Sequence, residues 1–212
     1  SGSGKSTFLN MLAGLEKPSK GQILIGDVDV AKLSERQLAK FRQENTGFIF
    51  QSYNLLPALT AVENVSLPLM FKGIGKADRN KKSEKMLKAV GLDKRLKHKP
   101  NQMSGGQQQR VGIARAFVAK PNIVFADEPT GNLDTKTTAE VMELMVKMCR
   151  KHNQTLILVT HDVDIAKYAD RIVHLIDGNI DSDKKNNSIV VKEIIEEIDE
   201  EKVIPQEKEQ IQ

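Results

Sequence analysis

The chain has 212 residues, 39% of them hydrophobic and 28% charged, which fits one globular domain with at most a small inserted subdomain. No apolar run approaches the about 20 residues needed to cross a bilayer, no signal peptide is visible, and the one cysteine, Cys149, excludes an intrachain disulfide. Net charge is +4, but residues 181–212 hold ten Asp/Glu against five Lys/Arg, which leaves +9 on the body. With 4% aromatics, no Trp and no aromatics interleaved among Lys76 to Lys99, that excess is read as solvated lysine, and no nucleic-acid partner is expected.

In chain order, Ser1-Gly2-Ser3-Gly4-Lys5-Ser6-Thr7 matches the last positions of the pattern G-x-x-x-x-G-K-[ST], so the chain opens partway through a phosphate-binding loop and is expected to be a fragment. The glycines let backbone N–H groups turn inward as an anion nest. Lys5 adds a point charge for terminal phosphates, and Ser6 offers a hydroxyl to Mg²⁺. Phe8 to Ala13 reads as a helix ended by Gly14, its positive end facing the phosphates. A short strand over 22–25 turns at Gly26-Asp27. Ser34 with Gln37 is a capping box opening a helix through about Arg42. Thr46–Phe50 is a strand stopping at Gln51, and Thr60 with Glu63 caps a helix that meets Pro68. Ala77 to Val90 is helical and highly charged, ended by Gly91, so about 55–99 reads as a helical insertion.

Ser104 caps a helix through Ala119, stopped by Pro121. Ile123–Ala126 is a continuous apolar run, as in a central parallel strand. A helix over about 135–151 precedes a second buried strand, Thr155–Thr160. In that helix Cys149 shares a face with Val141, Leu144, Met145 and Met148, so it reads as a buried small hydrophobe in a reducing cytosol. A short helix covers Val163 to Tyr168, and Arg171–Ile176 is a strand with a hairpin turn at Asp177-Gly178. Alternating strands and helices give an α/β fold with a mostly parallel sheet flanked by helices. Beyond 182 composition shifts to an acidic tail, either disordered or a short helix with Val191, Ile194, Ile195 and Ile198 on one face.

The chemistry gathers at strand ends. Asp127 closes the run 123–126 at the C-terminal edge of a parallel strand, where such sheets bind ligands, and suits Mg²⁺ opposite Ser6. Glu128 follows, an acid placed to orient or deprotonate water. His161 follows the next strand, positioned to touch a γ-phosphate or orient water, and Gln51 ends its own strand with an amide within reach of Mg²⁺. Ser104-Gly105-Gly106-Gln107 exposes further N–H groups at a helix start.

Together these residues resemble the ATP-binding cassette (ABC) ATPase family over about residues 1–181. Lys5 sits in the Walker A loop, Gln51 matches the Q-loop, and Ser104 to Gln107 match the family signature, with Met103 where Leu is usual. Asp127 matches the Walker B aspartate, Glu128 the catalytic glutamate, Gly131-Asn132-Leu133-Asp134 the D-loop and His161 the switch histidine. Phe48 to Gln51, Asn54 to Pro57, Leu59 to Ala61, Glu63 to Val65, Leu67 to Leu69 and Ala126 to Asp134 resemble the lipoprotein-releasing and macrolide-exporter branch.

The resemblance implies a P-loop NTPase fold with a helical signature subdomain at about 55–119, and Mg-dependent ATP hydrolysis. It implies that Ser1 to Thr7 and Gln51 bind nucleotide, that Ser6, Gln51 and Asp127 hold Mg²⁺, and that Lys5, Glu128 and His161 act in catalysis. Ser104 to Gln107 and Asp134 would then complete the site of a second ATPase subunit in a head-to-tail pair. The pair would work beneath an integral-membrane permease, in the cytoplasm at the inner face of the cell membrane. The competing classes are a soluble ABC ATPase of nucleic-acid repair or translation, and a P-loop GTPase, which the missing Asn-Lys-x-Asp disfavours. Between Tyr53 and Phe71, Leu55, Leu56, Leu59, Leu69, Met70 and Phe71 read mostly as core, with a permease contact as the alternative.

Overall fold

The computed structural model describes residues 4–186 together with Val190 and Ile194. It opens with α1 (Lys5–Leu12), the short hairpin β1 (Leu24–Ile25) and β2 (Val28–Asp29), α2 (Glu35–Asn45) and β3 (Thr46–Phe50). Three helices follow, α3 (Ala61–Phe71), α4 (Lys76–Ala89) and α5 (Gly105–Phe117). The chain then alternates β4 (Ile123–Asp127), α6 (Thr135–Lys151), β5 (Thr155–Val159) and α7 (Val163–Ala166), and closes on the hairpin β6 (Arg171–Ile176) and β7 (Asn179–Lys185).

β3, β4 and β5 form a parallel sheet in that order, and β4 is central. Strand side chains alternate between faces with period two, and here the alternation builds two cores. Phe125 on β4 joins Phe48, Ile157 and Val159 beneath Leu9 and Ala13 at α1. Val124 and Ala126 point the other way, with Ile49, Leu156 and Leu158, into the larger core of α5 and α6. The sheet is thus flanked by helices on both faces. β5 has only β4 as a strand partner among the described residues, and most of it is half-buried rather than buried as its apolar run suggests.

The larger core continues into α3 and α4: Val65, Leu69, Leu87 and Val90 lie in the same cluster as Val111, Ile113 and Phe117 of α5. The helical segment is therefore packed onto the sheet domain through α5. Gly47 permits the closest approach, since a Cβ there would stand 2.5 Å from the Ala116 carbonyl oxygen.

Local chemistry accounts for most boundaries. Ser34, Thr60 and Ser104 each form a complete capping box, with Gln37, Glu63 and Gln107. Gly14 and Gly91 take positive φ just past α1 and α4, where a left-handed residue ends a helix. Three expectations need correction. α2 continues to Asn45, three residues beyond Arg42. α3 passes through Pro68 to Phe71, because Val65 and Leu69, both buried, hold that turn against the core despite the lost N–H. β7 runs from 179 to 185, across the division at 181/182 that composition suggests. In the tail, Ile194 is buried, while Val191, Ile195 and Ile198 lie outside the described residues. Cys149 is buried as expected, and burial pushes its thiol up to about 12.

Candidate functional site

The three parallel strands end in one row. Phe50, Asp127 and Val159 are register partners, so Gln51, Glu128 and Thr160 follow at the same edge. Asp127 lies two residues beyond Phe125 and shares its face, the face that α1 covers. The α1 N-terminus stands at that edge, and Ser6 Oγ lies 3.2 Å from Asp127 Oδ1, donating to it. A hydroxyl and a carboxylate from opposite ends of the sequence thus converge through period-two alternation and helix packing. Gly4 caps α1 at φ 78°, a conformation that costs glycine little. The N–H groups opening α1 have no acceptor within the helix and face outward, as an anion site requires. Ser1, Gly2 and Ser3 lie outside the described residues. Lys5, first residue of α1, forms no ion pair with a described residue, and Thr7 follows Ser6 in the first turn.

Ser6 and Asp127 are hard oxygen donors, the set Mg²⁺ prefers when phosphate oxygens and water complete its shell. Among the described residues no group of three His, Cys, Asp or Glu could form a protein-only metal cage.

Glu128 leaves the strand in the left-handed region, at φ 44°, while its N–H donates to the Val159 carbonyl at 3.0 Å. This turns its side chain across the sheet edge towards β5. His161 Nδ1 lies 2.7 Å from Glu128 Oε1, and Thr160 Oγ1 reaches Oε2 at 3.5 Å. The Glu128 side chain is 20% exposed and that of His161 74%, so the carboxylate is sheltered while the imidazole extends into solvent. A carboxylate held by a protonatable ring beside an anion site can accept a proton from water and steer it.

Gln51 is not hydrogen-bonded to Ser6 or Asp127. Its backbone carbonyl accepts from Asn132 Nδ2 at 3.0 Å, and its amide lies where a Cβ on Gly131 would stand. The strand end is therefore tied to the loop after β4.

Ser104 to Gln107 lie elsewhere, in an open recess of about 350 Å³ shared with Asn132, Asp134, Thr137 and Glu140. None of Ser6, Asp127, Glu128 and His161 lines it. A Cβ on Gly106 would meet Thr137 Cγ2 at 2.6 Å, so any larger residue here would require Thr137 to shift. Asp134 caps α6 by accepting from the Thr137 N–H and hydroxyl, which holds its carboxyl below its ordinary value. The recess and the sheet edge at Ser6 and Asp127 are thus separate places on the chain.

Three residues escaped the sequence reading. Thr160 touches Glu128. Gln109 is fully buried on α5 and donates to the Pro129 carbonyl. Arg115, its pKa lowered by burial, donates to the Tyr53 carbonyl at 2.8 Å and to that of Asn54. The partners of Gln109 and Arg115 are backbone atoms, which carry no side-chain signature, so nothing in the sequence marks them.

The ABC transporter family model matches residues 1–131, well over half the chain. The chain belongs to the ABC transporter family. It is an ATP-binding, ATP-hydrolysing cassette of that family, in the lipoprotein-releasing and macrolide-exporter branch. It is 49% identical over 180 residues to the lipoprotein-releasing system ATP-binding protein LolD of Legionella pneumophila, covering 85% of this chain and 79% of that one. It is 48% identical over 183 residues to the macrolide export ATP-binding/permease protein MacB of Marinobacter nauticus, 86% of this chain but 28% of MacB. The dimeric structure of the cassette MJ0796, from Methanocaldococcus jannaschii, superposes with a TM-score of 0.81 at 44% identity, covering 89% of this chain and 83% of that one. A second MJ0796 structure shows a post-hydrolysis dimer bound to ADP and phosphate.

Proposed function

We propose that this cassette binds ATP with Mg²⁺, hydrolyses it to ADP and phosphate as one of two paired subunits, and thereby drives a separate membrane permease. The observation that carries this is the single sheet edge holding the Ser6–Asp127 contact and the Glu128–His161 contact side by side. Phosphoryl transfer to water is mainly a matter of position and charge. Lys5 and the N–H groups opening α1 grip the β- and γ-phosphates. Ser6, Asp127 and Gln51 would hold Mg²⁺, which would neutralise phosphate charge. Glu128 accepts a proton from the attacking water, and His161 fixes the carboxylate and reaches the γ-phosphate.

The recess at Ser104 to Gln107 and Asp134 serves the nucleotide of the second subunit, which fits the separation of the half-sites and the paired MJ0796 cassettes. Relatives named as components of lipoprotein release and macrolide export support transport over a nucleic-acid role. No described helix is long and apolar enough to cross a membrane. On this reading a permease supplies the pathway, and the cassette docks on its cytoplasmic side.

Replacing Glu128→Gln in the full-length protein tests this. A general base contributes about 10²- to 10⁴-fold, so kcat should fall at least about 100-fold. ATP affinity should persist, and an ATP-loaded pair should accumulate on size exclusion. Full turnover in that variant would remove Glu128 from the mechanism.

A further inference from the structure

We infer that Gln109 is a positioning residue for hydrolysis: from the buried face of α5, its amide holds the Pro129 carbonyl and so fixes the turn that aims Glu128. This rests on Glu128 as the water-polarising group. The turn needs support, because Glu128 stands at φ 44°, where a residue with a Cβ is strained. Its own N–H is anchored to Val159, and the Pro129 nitrogen has no hydrogen to donate. The Glu128 carbonyl accepts from the Gly131 N–H at 3.1 Å within the turn itself, and Gln109 Nε2, donating to the Pro129 carbonyl, ties the turn to α5.

Gln109 is a costly way to fill space. It is 0% exposed, and its Oε1 is buried without a hydrogen-bond partner among the described residues. An apolar side chain of equal length would fill the volume without that orphan acceptor. What it could not supply is the donor. The amide cannot turn round either, since Oε1 would then face the Pro129 oxygen.

Placement gives the contact a further consequence. Gln109 lies four residues after Gly105, on the same side of α5 and about 6 Å along it, a little over one turn. Gly105 and Gly106 line the recess. The same helix, through Arg115, grips the Tyr53 and Asn54 carbonyls just after Gln51. Tyr53 and Asn54 also sit at positive φ, 59° and 47°. One rigid element therefore connects the recess to the loops bearing Gln51 and Glu128, and a ligand pressing on Gly105 acts one turn from the atom that aims the base.

The test is steady-state and single-turnover ATP hydrolysis by the full-length protein with Mg²⁺. Gln109→Met keeps length and removes the donor. A small misplacement of a reacting group can cost on the order of 100-fold, so kcat should fall at least about tenfold with KM for ATP within about twofold. ATP-driven pairing should remain. In a Glu128→Gln background the same substitution should cost nothing further, because it acts through the missing carboxylate. A Gln109→Met protein that is folded by circular dichroism yet keeps kcat within twofold overturns the inference. So does an equal loss in both backgrounds. If Gln109→Met does not fold, Gln109→His decides: its Nε2–H reaches about as far, and retained kcat supports the contact while lost kcat with intact ATP binding overturns it. Full turnover in Glu128→Gln alone is a separate result, which strikes the proposed function.

Discussion

At the scale of single residues, this site is built by atoms that meet across long sequence separations for local reasons. Asp127 reaches Ser6 because it shares the Phe125 face, and Glu128 turns away because its backbone becomes left-handed. The type of residue at each position was legible: an acid at the end of an apolar run, a hydroxyl after Gly-Lys, an imidazole at the next strand end. The bond between His161 and Glu128 was not, since it depends on a φ angle that no residue type in Asp127-Glu128-Pro129 announces. Gly47 makes the complementary point. A Cβ there would press on the Ala116 carbonyl at 2.5 Å and on Pro121 at 3.2 Å, neither able to swing aside. Gly47→Ala should cost about 2 kcal/mol, the scale of core overpacking, and lower Tm by about 4–8 °C in calorimetry. A smaller change than 1 °C would show that α5 can retreat from β3.

At the scale of elements, side chains that close on their own backbone were the most readable part of the molecule. The three capping boxes at Ser34, Thr60 and Ser104 open helices one residue later, as the pattern requires. Where boundaries moved, packing had overridden local preference: α3 continues past Pro68 because Leu69 is 2% exposed in the core. The Thr60 box also carries a pH dependence. The Thr60 N–H and hydroxyl both donate to Glu63, and they hold its carboxyl below the ordinary value. A lowered folded-state pKa stabilises the fold above the unfolded value of about 4.3, and the gain is lost as pH falls through the folded value. Thr60→Ala should cost about 1 kcal/mol at neutral pH. Glu63→Gln cannot titrate, so its Tm deficit against the unsubstituted protein should shrink between neutrality and the acid side of that transition. Parallel Tm curves across that range would detach Glu63 from the acid sensitivity.

At the scale of the whole molecule, the decisive feature is that the sheet edge at Ser6 and Asp127 and the recess at Ser104 to Gln107 lie apart on one chain. Motif order made both groups visible, and the family resemblance implied that they serve different nucleotides; in the structure Ser104 to Gln107 and Asp134 line a recess that excludes Ser6, Asp127, Glu128 and His161. A cassette paired head to tail would join each phosphate-gripping edge to the other subunit's recess. This predicts complementation. Lys5→Ala spoils the gripping edge, and Ser104→Arg blocks the recess with a bulky cation; each alone should abolish hydrolysis, since both sites of a homodimer then carry one defect. A mixed pair differs. One of its sites collects both defects, while the other combines the intact edge of the Ser104→Arg subunit with the intact recess of the Lys5→Ala subunit. With random pairing, half the dimers are mixed and each has one working site, so about a quarter of the unsubstituted rate should return on mixing. Phosphate release measured on the two inactive proteins, alone and combined at equal concentration, reads this directly. No recovery from a mixture shown to exchange subunits would mean that each chain completes its own site.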